Sequence, residues 1–390
     1  MKVLLLTDGI FPFQIGGMQK HSLMLAKFLI KNGVHVHLVH CGGNDYSPEM
    51  FLSLFDQELQ EFISETYVKF PKSDPFPGHY IRENKTYSKN AYFELESRMN
   101  EFDLVYAQGF SGWRFIKERR KKQFTCPVIV NFHGLEMFQT PPSLRVMAEY
   151  SLFKNAVKWN LRNADYVYSF GGEIDEILKE LEIHKDVILP QVNGIESNWM
   201  VTNPSDVTDV RKFVFVGRAE RRKGIEELNK TLELLIANET PFEFNFIGPI
   251  PEKQRIIDTR IIYHGEIREP EEIKKILRGQ DCLVCPSHSE GMPTVILEAM
   301  ASGLAIIGTN VGAIEKQIEN NGILIKEPDS IELKKAMDSI INADPTLLQS
   351  MKKESLSLIE QRFLWERVVE SKLTQFQQIL IKEKRVLSAE

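Results

Sequence analysis

Short apolar runs alternate with amphipathic stretches along the whole chain, and this alternation is typical of βα units. The runs are nearly free of polar residues, as expected for parallel strands covered on both faces. Six strands are predicted in each half: Val3–Leu6, Val34–Val39, Leu104–Ala107, Val128–Asn131, Tyr166–Ser169 and Val187–Leu189, then Phe213–Val216, Phe244–Ile247, Ile261–His264, Leu283–Cys285, Ala305–Gly308 and Ile323–Ile325. The pattern therefore predicts an α/β protein with one doubly wound sheet in each half.

The length of the chain indicates two domains. A sequence of 390 residues exceeds what a single hydrophobic core normally holds. Asn193-Gly194 is a turn signal, and a polar segment follows it as far as Asp209. We therefore predict a first domain over residues 1–192 and a second over residues 193–365. The tail, from about Leu347 to Leu380, has a helical pattern with no strand after it.

Composition limits the functional class only broadly. The chain is 43% hydrophobic and 26% charged, as in a globular protein, and its net charge of −6 gives no sign of nucleic-acid binding. Four cysteines are too few for a disulfide scaffold, so we expect a reducing cytoplasm. Cys282 and Cys285 lie on one predicted strand and face opposite sides of it, which argues against a metal or redox site. Asp8 interrupts the apolar run Val3–Leu6, which predicts a buried strand rather than a signal peptide.

One segment, Lys117-Glu-Arg-Arg-Lys-Lys122, is strongly basic. Most runs of this kind form a solvated helix face. The alternative is a surface that attracts anionic lipid headgroups, where each basic residue contributes roughly 1 kcal/mol. Trp113, Phe115 and Ile116 stand just before the run and favour peripheral contact with a membrane.

The most informative stretch is Glu290-Gly-Met-Pro-Thr-Val-Ile-Leu-Glu298, in which two acids stand eight positions apart. Pro293-Thr294 predicts the start of a helix, with Glu290 on the preceding loop and Glu298 about one turn inside. The free N–H groups of such a first turn bind anions. Two acids on either side of an anion site suit a sugar nucleotide, with its sugar hydroxyls, diphosphate and ribose. The alternative is a capped amphipathic helix with one solvated glutamate.

Two further elements suit phosphate. Gly16-Gly17 follows the first predicted strand and precedes the helix Met18–Lys31, so its N–H groups are available to an anion. At the end of the first strand of the second half, Arg218 and Lys223 offer a guanidinium fork and a point charge. Both positions lie where parallel sheets bind ligands, at the carboxyl ends of the strands. Arg221 and Arg222 stand between them and are predicted to be solvated surface.

A histidine ends a strand of the first half, in Asn131-Phe-His133-Gly134. A lone histidine is more often structural than catalytic. Here it lies at the predicted cleft edge and is followed by a glycine, so we expect His133 to have a role in the site. His21, on the helix after the glycine loop, is a second candidate.

These motifs resemble those of the retaining glycosyltransferases of family 4. Glu290 to Glu298 is similar to the E-x7-E motif of that family, and Gly217-Arg218 to Lys223-Gly224 is similar to its G-R-x4-K-G element. The resemblance is strongest over residues 210–345 and weakest from about 41 to 100. One departure is Gly312-Ala313, where the family usually has Gly-Gly. The resemblance implies the GT-B fold, two Rossmann-like domains facing a cleft, with residues 366–390 as a last helix that crosses back to the first domain at Phe363-Leu-Trp365.

The resemblance also implies roles for individual residues. Glu298 would bind the ribose hydroxyls, Glu290 a hydroxyl of the donor sugar, and Arg218 and Lys223 the diphosphate. The implied catalytic positions are Glu290, His133, Arg218 and Lys223. The implied donor contacts are Gly16, Gly17, Arg218, Lys223, Gly248, Ile267, Glu290, Gly291, Met292, Pro293, Thr294 and Glu298. The sequence contains no Asp-x-Asp triplet, and neither a metal nor a cofactor is expected.

The implied reaction moves a sugar from a nucleotide-diphosphate donor to a hydroxyl acceptor, with retention at the anomeric carbon. A lipid-linked glycan of bacterial surface polysaccharide or glycolipid synthesis is the expected acceptor. Two alternatives remain at this point. One is an enzyme of the same fold that modifies a sugar nucleotide without transfer, such as a 2-epimerase, and the other is a non-catalytic sugar-nucleotide binder. A cleft between two domains also predicts closure on the donor, with hinges near Asn193–Glu196 and in the tail.

Overall fold

A computed structural model describes residues 1–42, 46–72, 76, 78–141 and 143–387 of the chain. Within these ranges the chain forms two parallel sheets, one in each half. The predicted α/β class is therefore confirmed.

The first sheet has seven strands in the order β3-β2-β1-β4-β5-β6-β7. Every pair of neighbours is parallel. The order reverses between β1 and β4, which is the kind of switch point where such sheets bind ligands. The strands are β1 (Lys2–Leu6), β2 (His35–His40), β3 (Ile63–Tyr67), β4 (Leu104–Gln108), β5 (Val128–Asn131), β6 (Tyr166–Ser169) and β7 (Ile188–Pro190).

Six helices connect these strands. Helix α1 follows β1 after the loop that contains Gly16, and it buries one side of its surface, including His21 and Leu25. The helices are α1 (Gly17–Lys31), α2 (Pro48–Leu52), α3 (His79–Leu95), α4 (Trp113–Arg120), α5 (Leu144–Asn163) and α6 (Glu173–Glu180).

The second sheet has six parallel strands in the order β10-β9-β8-β11-β12-β13. Again the order reverses beside the first strand of the unit, between β8 and β11. The strands are β8 (Arg211–Val216), β9 (Phe242–Ile247), β10 (Ile261–Gly265), β11 (Cys282–Cys285), β12 (Ala305–Thr309) and β13 (Gly322–Ile325). The helices of this half and of the tail are α7 (Ile225–Ala237), α8 (Pro270–Arg278), α9 (Thr294–Ala301), α10 (Ser330–Ile341), α11 (Pro345–Leu358) and α12 (Trp365–Leu387).

All twelve predicted strands occur within a residue or two of their predicted bounds, and one strand was missed. Strand β3 lies at the edge of the first sheet, and in it only Ile63 is fully buried. On β11, Cys282 belongs to the core on one face of the sheet and Cys285 to the core on the other. The prediction that these two thiols face opposite sides is confirmed.

The chain crosses between the two halves at two adjacent places. Ile195 pairs with Leu364 in a short parallel bridge, in which Ile195 N–H donates to Phe363 at 2.7 Å and Trp365 N–H donates to Ile195 at 3.1 Å. Phe363 packs in the core of the second half, whereas Trp365 packs in the core of the first. The crossing predicted at Phe363-Leu-Trp365 is confirmed.

Helix α12 is part of the first half by its contacts. Val368, Val369, Phe376 and Ile379 are buried in the same cluster as β1 and α1. The predicted domain boundaries, 1–192 and 193–365 with 366–390 returning, stay a prediction. Residues 388–390 lie outside the described residues.

The basic run covers the last turn of α4. Phe115 and Ile116, which favoured a membrane surface, are buried in the core of the first half. Arg119 pairs with Asp165 and Glu383, at 3.3 and 2.9 Å. None of the described helices combines the length and apolarity that a membrane span needs.

Candidate functional site

Segments that follow strands of the first sheet contact segments that follow strands of the second. The loop after β5 packs on Gly291, after β11, and Lys20 of α1 lies 3.7 Å from Glu298 of α9. Gly16-Gly17 follows β1 and His133-Gly134 follows β5. Across the cleft lie the loop containing Lys223 and the segment from Glu290 to α9. Gly17, His133, Lys223, Glu290 and Glu298, predicted from separate motifs, therefore come together around the start of α9.

Helix α9 begins at Thr294, with Pro293 as its N-cap residue. Glu290 lies on the loop before it and is 6% exposed. Glu298 lies in its second turn, with a side chain that is 13% exposed. The predicted helix start between two acids is confirmed.

Glu290 is surrounded by groups that stabilise its negative charge. Lys223 Nζ lies 2.5 Å from its Oε1, and the hydroxyl of Ser287 donates to the same oxygen at 2.8 Å. Arg222 Nη1 lies 3.8 Å from the other carboxylate oxygen. A cation from the loop after β8 is therefore paired directly with the acid before α9.

The arginines of this loop differ from the sequence prediction. Arg222 and Arg221 were expected to be solvated surface, and this is wrong. Arg222 bridges Glu220 and Glu290, while Arg221 makes a two-pronged ion pair with Glu227 at 2.7 and 2.9 Å. The reason is that a short 3₁₀ turn over residues 221–223 directs these side chains back towards the protein.

Arg218, in contrast, lies at the rim. Its side chain is 71% exposed and pairs with Glu220 at 2.8 Å. Of the two predicted diphosphate ligands, Lys223 therefore reaches the acid before α9, while Arg218 is turned towards Glu220 in this structure.

The glycine loop approaches Glu298 from the first half. Gly17 is the first residue of α1, and a β-carbon there would meet nothing within 4 Å, so open space lies on that side of the residue. The N-cap residue Gly16 provides no side-chain hydrogen bond to the first turn. One turn later, Lys20 Nζ lies 3.7 Å from Glu298. Burial raises the pKa of Glu298, and the nearby Lys20 partly offsets this rise. A small cavity between the halves is lined by Gly17, Lys20, Thr294 and Glu298.

The loop after β5 packs directly on the segment containing Glu290. A β-carbon on Gly291 would lie 1.7 Å from the carbonyl oxygen of His133, so only glycine allows this approach. Gln139 bonds both backbone groups of Glu290: it donates to the carbonyl at 2.6 Å and accepts from the N–H at 3.0 Å. The two halves are therefore in contact at the reaction site proposed by the sequence.

His133 has a left-handed backbone, with a φ of 60°. The Oδ1 of Asn131 accepts its N–H at 2.9 Å, which stabilises that conformation. Its Nε2 lies 2.6 Å from Oε1 of Gln108 and its ring packs edge-on against His21, 4.7 Å between centroids. Burial and the ammonium group of Lys372 lower the pKa of His133 to about 3, so the ring is neutral at physiological pH.

Three strand ends of the second half form the far wall. A β-carbon on Gly248 would lie 2.0 Å from the carbonyl oxygen of Gly217, and Gly248 N–H donates to Gly265 at 2.7 Å. Ile267 packs against the core of the second half just beyond this turn. The predicted positions Gly248 and Ile267 therefore lie in one surface next to the loop of Lys223.

The residues after Glu290 are held by the crossing segment and by a neighbouring loop. The Nδ2 of Asn193 donates to the carbonyl of Met292 at 2.6 Å. Gly312 has a φ of 58°, and a β-carbon there would lie 2.2 Å from the carbonyl of Glu290. Ala313, where the resembled family usually has glycine, is fully buried and donates to Gly291 at 2.8 Å.

Glu136, Gln139 and Lys20 also lie at this site and were not predicted from the sequence. Glu136 follows His133 by three positions, and its carboxylate lies over Gly134, at 2.7 Å from where a β-carbon would be. Burial and the charge of Glu290 raise its pKa, although its own backbone and the cations Arg222 and Lys223 lower it. The available signal was position, since Lys20 stands three residues after Gly17, and Glu136 and Gln139 stand three and six residues after His133.

The arrangement places three cations, Lys20, Arg222 and Lys223, around a helix start, the buried Glu290 and the partly buried Glu298. Such a site can hold a ligand that carries both hydroxyl groups and negative charge. Among the residues with a described placement, no group of three His, Cys, Asp or Glu side chains converges as metal ligands would.

Two family profiles match the chain. The profile described as Glycosyltransferase Family 4 matches residues 15–197, and the one described as Glycosyl transferases group 1 matches residues 210–343. Together they cover most of the sequence, including both sides of the cleft.

Curated proteins with similar sequences are glycosyltransferases and synthases. The chain is 28% identical over 216 residues to the putative teichuronic acid biosynthesis glycosyltransferase TuaC of Bacillus subtilis, which covers 53% of this chain and 52% of TuaC. It is 22% identical over 366 residues to an uncharacterized glycosyltransferase of Methanocaldococcus jannaschii, covering 85% and 87% of the two chains. The chain thus spans about half the length of TuaC, and most of the length of the archaeal protein.

Solved structures share the complete fold. Sucrose-phosphate synthase from Thermosynechococcus elongatus superposes with a TM-score of 0.77 at 19% identity, over 98% of this chain and 99% of that one. HepE from Anabaena, solved in complex with UDP and glucose, gives a TM-score of 0.66 at 17% identity over the whole of both chains. These neighbours have the GT-B fold, so the fold predicted from the motifs is confirmed.

Proposed function

The chain belongs to glycosyltransferase family 4, and from this premise we propose that it transfers a sugar from a nucleotide-diphosphate donor to a hydroxyl acceptor. The proposal includes retention at the anomeric carbon and independence of metal. The process served would be the synthesis of a bacterial cell-surface polysaccharide or glycolipid.

The observation that carries the proposal is the ion pair between Lys223 and Glu290, at 2.5 Å, beside the start of α9. It brings a phosphate-binding cation and a hydroxyl-binding acid to one helix start. A ligand that joins a diphosphate to a sugar fits both groups at once. Glu298, eight residues further on, is partly buried and lies 3.7 Å from Lys20 across the cleft.

In the proposed binding mode the nucleotide lies along the second half. Its base would pack near Gly248 and Ile267, its ribose hydroxyls would donate to Glu298, and its diphosphate would face Lys223. Gly291, Met292, Pro293 and Thr294 would form the wall beside the diphosphate and sugar. Gly16 and Gly17 would cover the phosphates from the first half, where the open N–H groups of α1 begin.

Transfer breaks the bond between the anomeric carbon and the phosphate oxygen, and forms a bond from that carbon to the acceptor oxygen. The acceptor proton passes to the departing diphosphate. Lys223 and Arg222 would stabilise the negative charge that grows on the leaving group, which is a transition-state interaction. Retention is proposed to follow from attack on the same face that the diphosphate leaves. His133, which has a neutral ring and a backbone carbonyl packed against Gly291, would contact the reacting sugar.

UDP-sugars are the first donors to test. The similar protein HepE was solved with UDP and with UDP-glucose, and a similar Escherichia coli protein with UDP-2-fluoro glucose. The name of TuaC refers to teichuronic acid biosynthesis, which supports a glycan acceptor. If that acceptor is lipid-linked, the basic end of α4, with Lys117 and Arg120 exposed, is the proposed contact with anionic headgroups.

The experiment is a thermal-shift series with UDP-, GDP- and ADP-sugars in the presence of EDTA. It compares the wild type with Glu298→Ala and with a control, Glu332→Ala, which changes an exposed acid on α10. We expect one nucleotide series to raise the melting temperature of the wild type and of Glu332→Ala, and Glu298→Ala to lose that rise.

The proposal is contradicted if millimolar ligand changes the melting temperature of neither the wild type nor Glu332→Ala. Product analysis then separates the remaining alternatives. Release of an altered sugar nucleotide without an acceptor would indicate epimerisation, and NMR of the glycoside formed with an acceptor gives the anomeric configuration. An inverted product would overturn retention while leaving transfer in place.

A further inference from the structure

Lys372 lies on α12, far in sequence from the residues that form the cleft, and its side chain is buried. The residue is 1% exposed. No carboxylate forms an ion pair with it anywhere in the described ranges; its neighbours are two tyrosines and a glutamine. Its Nζ lies 3.8 Å from the ring centre of Tyr168 and 5.2 Å from that of Tyr106.

The ammonium group begins a chain of hydrogen bonds. It donates to Oε1 of Gln191 at 2.9 Å, and the amide nitrogen of Gln191 donates to Oδ1 of Asn131 at 2.8 Å. That same oxygen accepts the backbone N–H of His133 at 2.9 Å. The chain therefore joins α12, the first crossing segment and the loop after β5.

The last bond of this chain holds His133 in its left-handed conformation. A non-glycine residue in that region costs on the order of 1 kcal/mol unless its surroundings fix it. The carbonyl of His133 is in turn the group against which Gly291 packs. A change in the orientation of Asn131 would therefore alter both the ring of His133 and the contact between the two halves.

The polar amino group of Lys372 is not explained by packing. Burying an ammonium group without a counter-ion is costly, and an apolar side chain of similar length normally serves a core better. The cation–π contacts with Tyr168 and Tyr106 recover part of this cost. What the ammonium provides, and methionine could not, is a fixed donor to Gln191.

We infer that Lys372 is a positioning residue for His133: through Gln191 and Asn131 it fixes the loop that holds His133 against Gly291. The expected effect on transfer rests on the proposed function, whereas the effect on the loop does not. The packing of α12 on the first half thereby determines the position of His133 in the cleft.

The first test follows the histidine side chains by NMR, using protein labelled at the ring carbons. Lys372→Met is compared with Lys274→Met, which replaces another buried lysine on α8 whose partner is the exposed Glu271. We expect the signals of His133 and of its neighbour His21 to move in Lys372→Met and to stay in place in Lys274→Met. His133→Gln identifies the signal. Unchanged His133 signals in a folded Lys372→Met protein would overturn the inference.

A second variant covers the case in which Lys372→Met does not fold. Gln191→Met interrupts the same chain of bonds and leaves Lys372 present. It is expected to move the same two histidine signals. If it leaves them in place, the chain of bonds does not position His133.

The second test measures transfer or slow hydrolysis of UDP-glucose in a double-mutant cycle. Lys372→Met should lower kcat roughly 10- to 100-fold with little change in the KM for the donor, because a misplaced group at the reacting centre loses rate rather than binding. In the His133→Gln background the same substitution should change kcat less than about twofold. Equal losses in both backgrounds would exclude action through His133. If the wild type is inactive with every donor, the proposed function fails, and the NMR result alone decides the inference.

Discussion

Lys223 Nζ lies 2.5 Å from Oε1 of Glu290, and this ion pair joins the loop after β8 to the loop before α9. The carboxylate is 7% exposed and the ammonium group 17% exposed, so solvent screens the pair only weakly. A bound diphosphate would share the cation with Glu290 and change the charge balance of the site. This relationship makes Lys223 the first residue to test.

Lys223→Met should lower kcat on the order of 100-fold, because it removes a cation from the departing diphosphate. It also leaves Glu290 with only the more distant Arg222 as a counter-charge. Steady-state kinetics with the donor identified by thermal shift measure the effect. Lys230→Met, an exposed lysine on α7, is the matched control, and equal kinetics in the two variants would contradict the role given to Lys223.

Gly291→Ala should keep the two halves apart at the cleft. A β-carbon on residue 291 would lie 1.7 Å from the carbonyl oxygen of His133, so the loop has to withdraw. We expect a larger radius of gyration by small-angle X-ray scattering and a loss of transfer of at least about 100-fold, since the catalytic groups no longer meet. Gly279→Ala is the control, because its β-carbon would make only an ordinary contact at 3.5 Å. An active Gly291→Ala protein with wild-type scattering would show that the close approach is not required.

Glu136→Gln should bind UDP-glucose more tightly. The carboxylate lies over Gly134, near Arg222 and Lys223, and competes with a diphosphate for their positive charge. Removing one negative charge at this range is worth about 1 kcal/mol, or about fivefold in affinity. Isothermal titration gives the dissociation constant, with Glu149→Gln, an exposed acid on α5, as the control. Weaker binding in Glu136→Gln would instead indicate that Glu136 contacts the donor.

Lys372→Met should change how stability depends on pH. Burial lowers the pKa of Lys372 from 10.5 to about 7, so between these values the unfolded chain binds more protons than the folded one. Because of Lys372, the free energy of unfolding of the wild type therefore increases as the pH rises from 7 towards 10.5. The increase between pH 7 and 9 is roughly 2 kcal/mol.

Methionine has no such proton, so the variant should lack this gain. The free energy of unfolding of the variant minus that of the wild type should be greatest below pH 7, where Lys372 is charged in the folded and the unfolded protein. This difference should decrease towards pH 9. Urea titrations at pH 6, 7.5 and 9 measure the difference in unfolding free energy. A difference that is constant over this range would show that Lys372 does not titrate there.

The sequence predicted the fold well because parallel strands buried on both faces leave nearly continuous apolar runs. Strand β3 was not predicted because it lies at the edge of the sheet. There only Ile63 packs in the core, and the next three residues, Ser64, Glu65 and Thr66, are polar. The helix start between Glu290 and Glu298 was predictable from Pro293 and the spacing of the acids. Both signals are local in the sequence.

Side-chain direction was less predictable. Arg218, Arg221 and Arg222 stand within five positions, and only the backbone of a short turn decides that Arg222 reaches Glu290 while Arg218 lies at the rim. Lys372 could not be assigned at all, because its partner Gln191 is 181 residues away in sequence. Contacts between residues so far apart in sequence depend on how the chain segment at Ile195 pairs with the segment at Leu364. No local sequence pattern predicts that pairing.

The return of α12 to the first half has a consequence for synthesis on the ribosome. Trp365, Phe376 and Ile379 complete the same core as Val3 and Leu5. The core of the first half, which is synthesised first, therefore stays incomplete until α12 has been synthesised, after the entire second sheet. We expect the second half, whose core ends at Phe363, to be able to fold before α12 is made, while the nascent first half keeps an apolar surface exposed until α12 emerges.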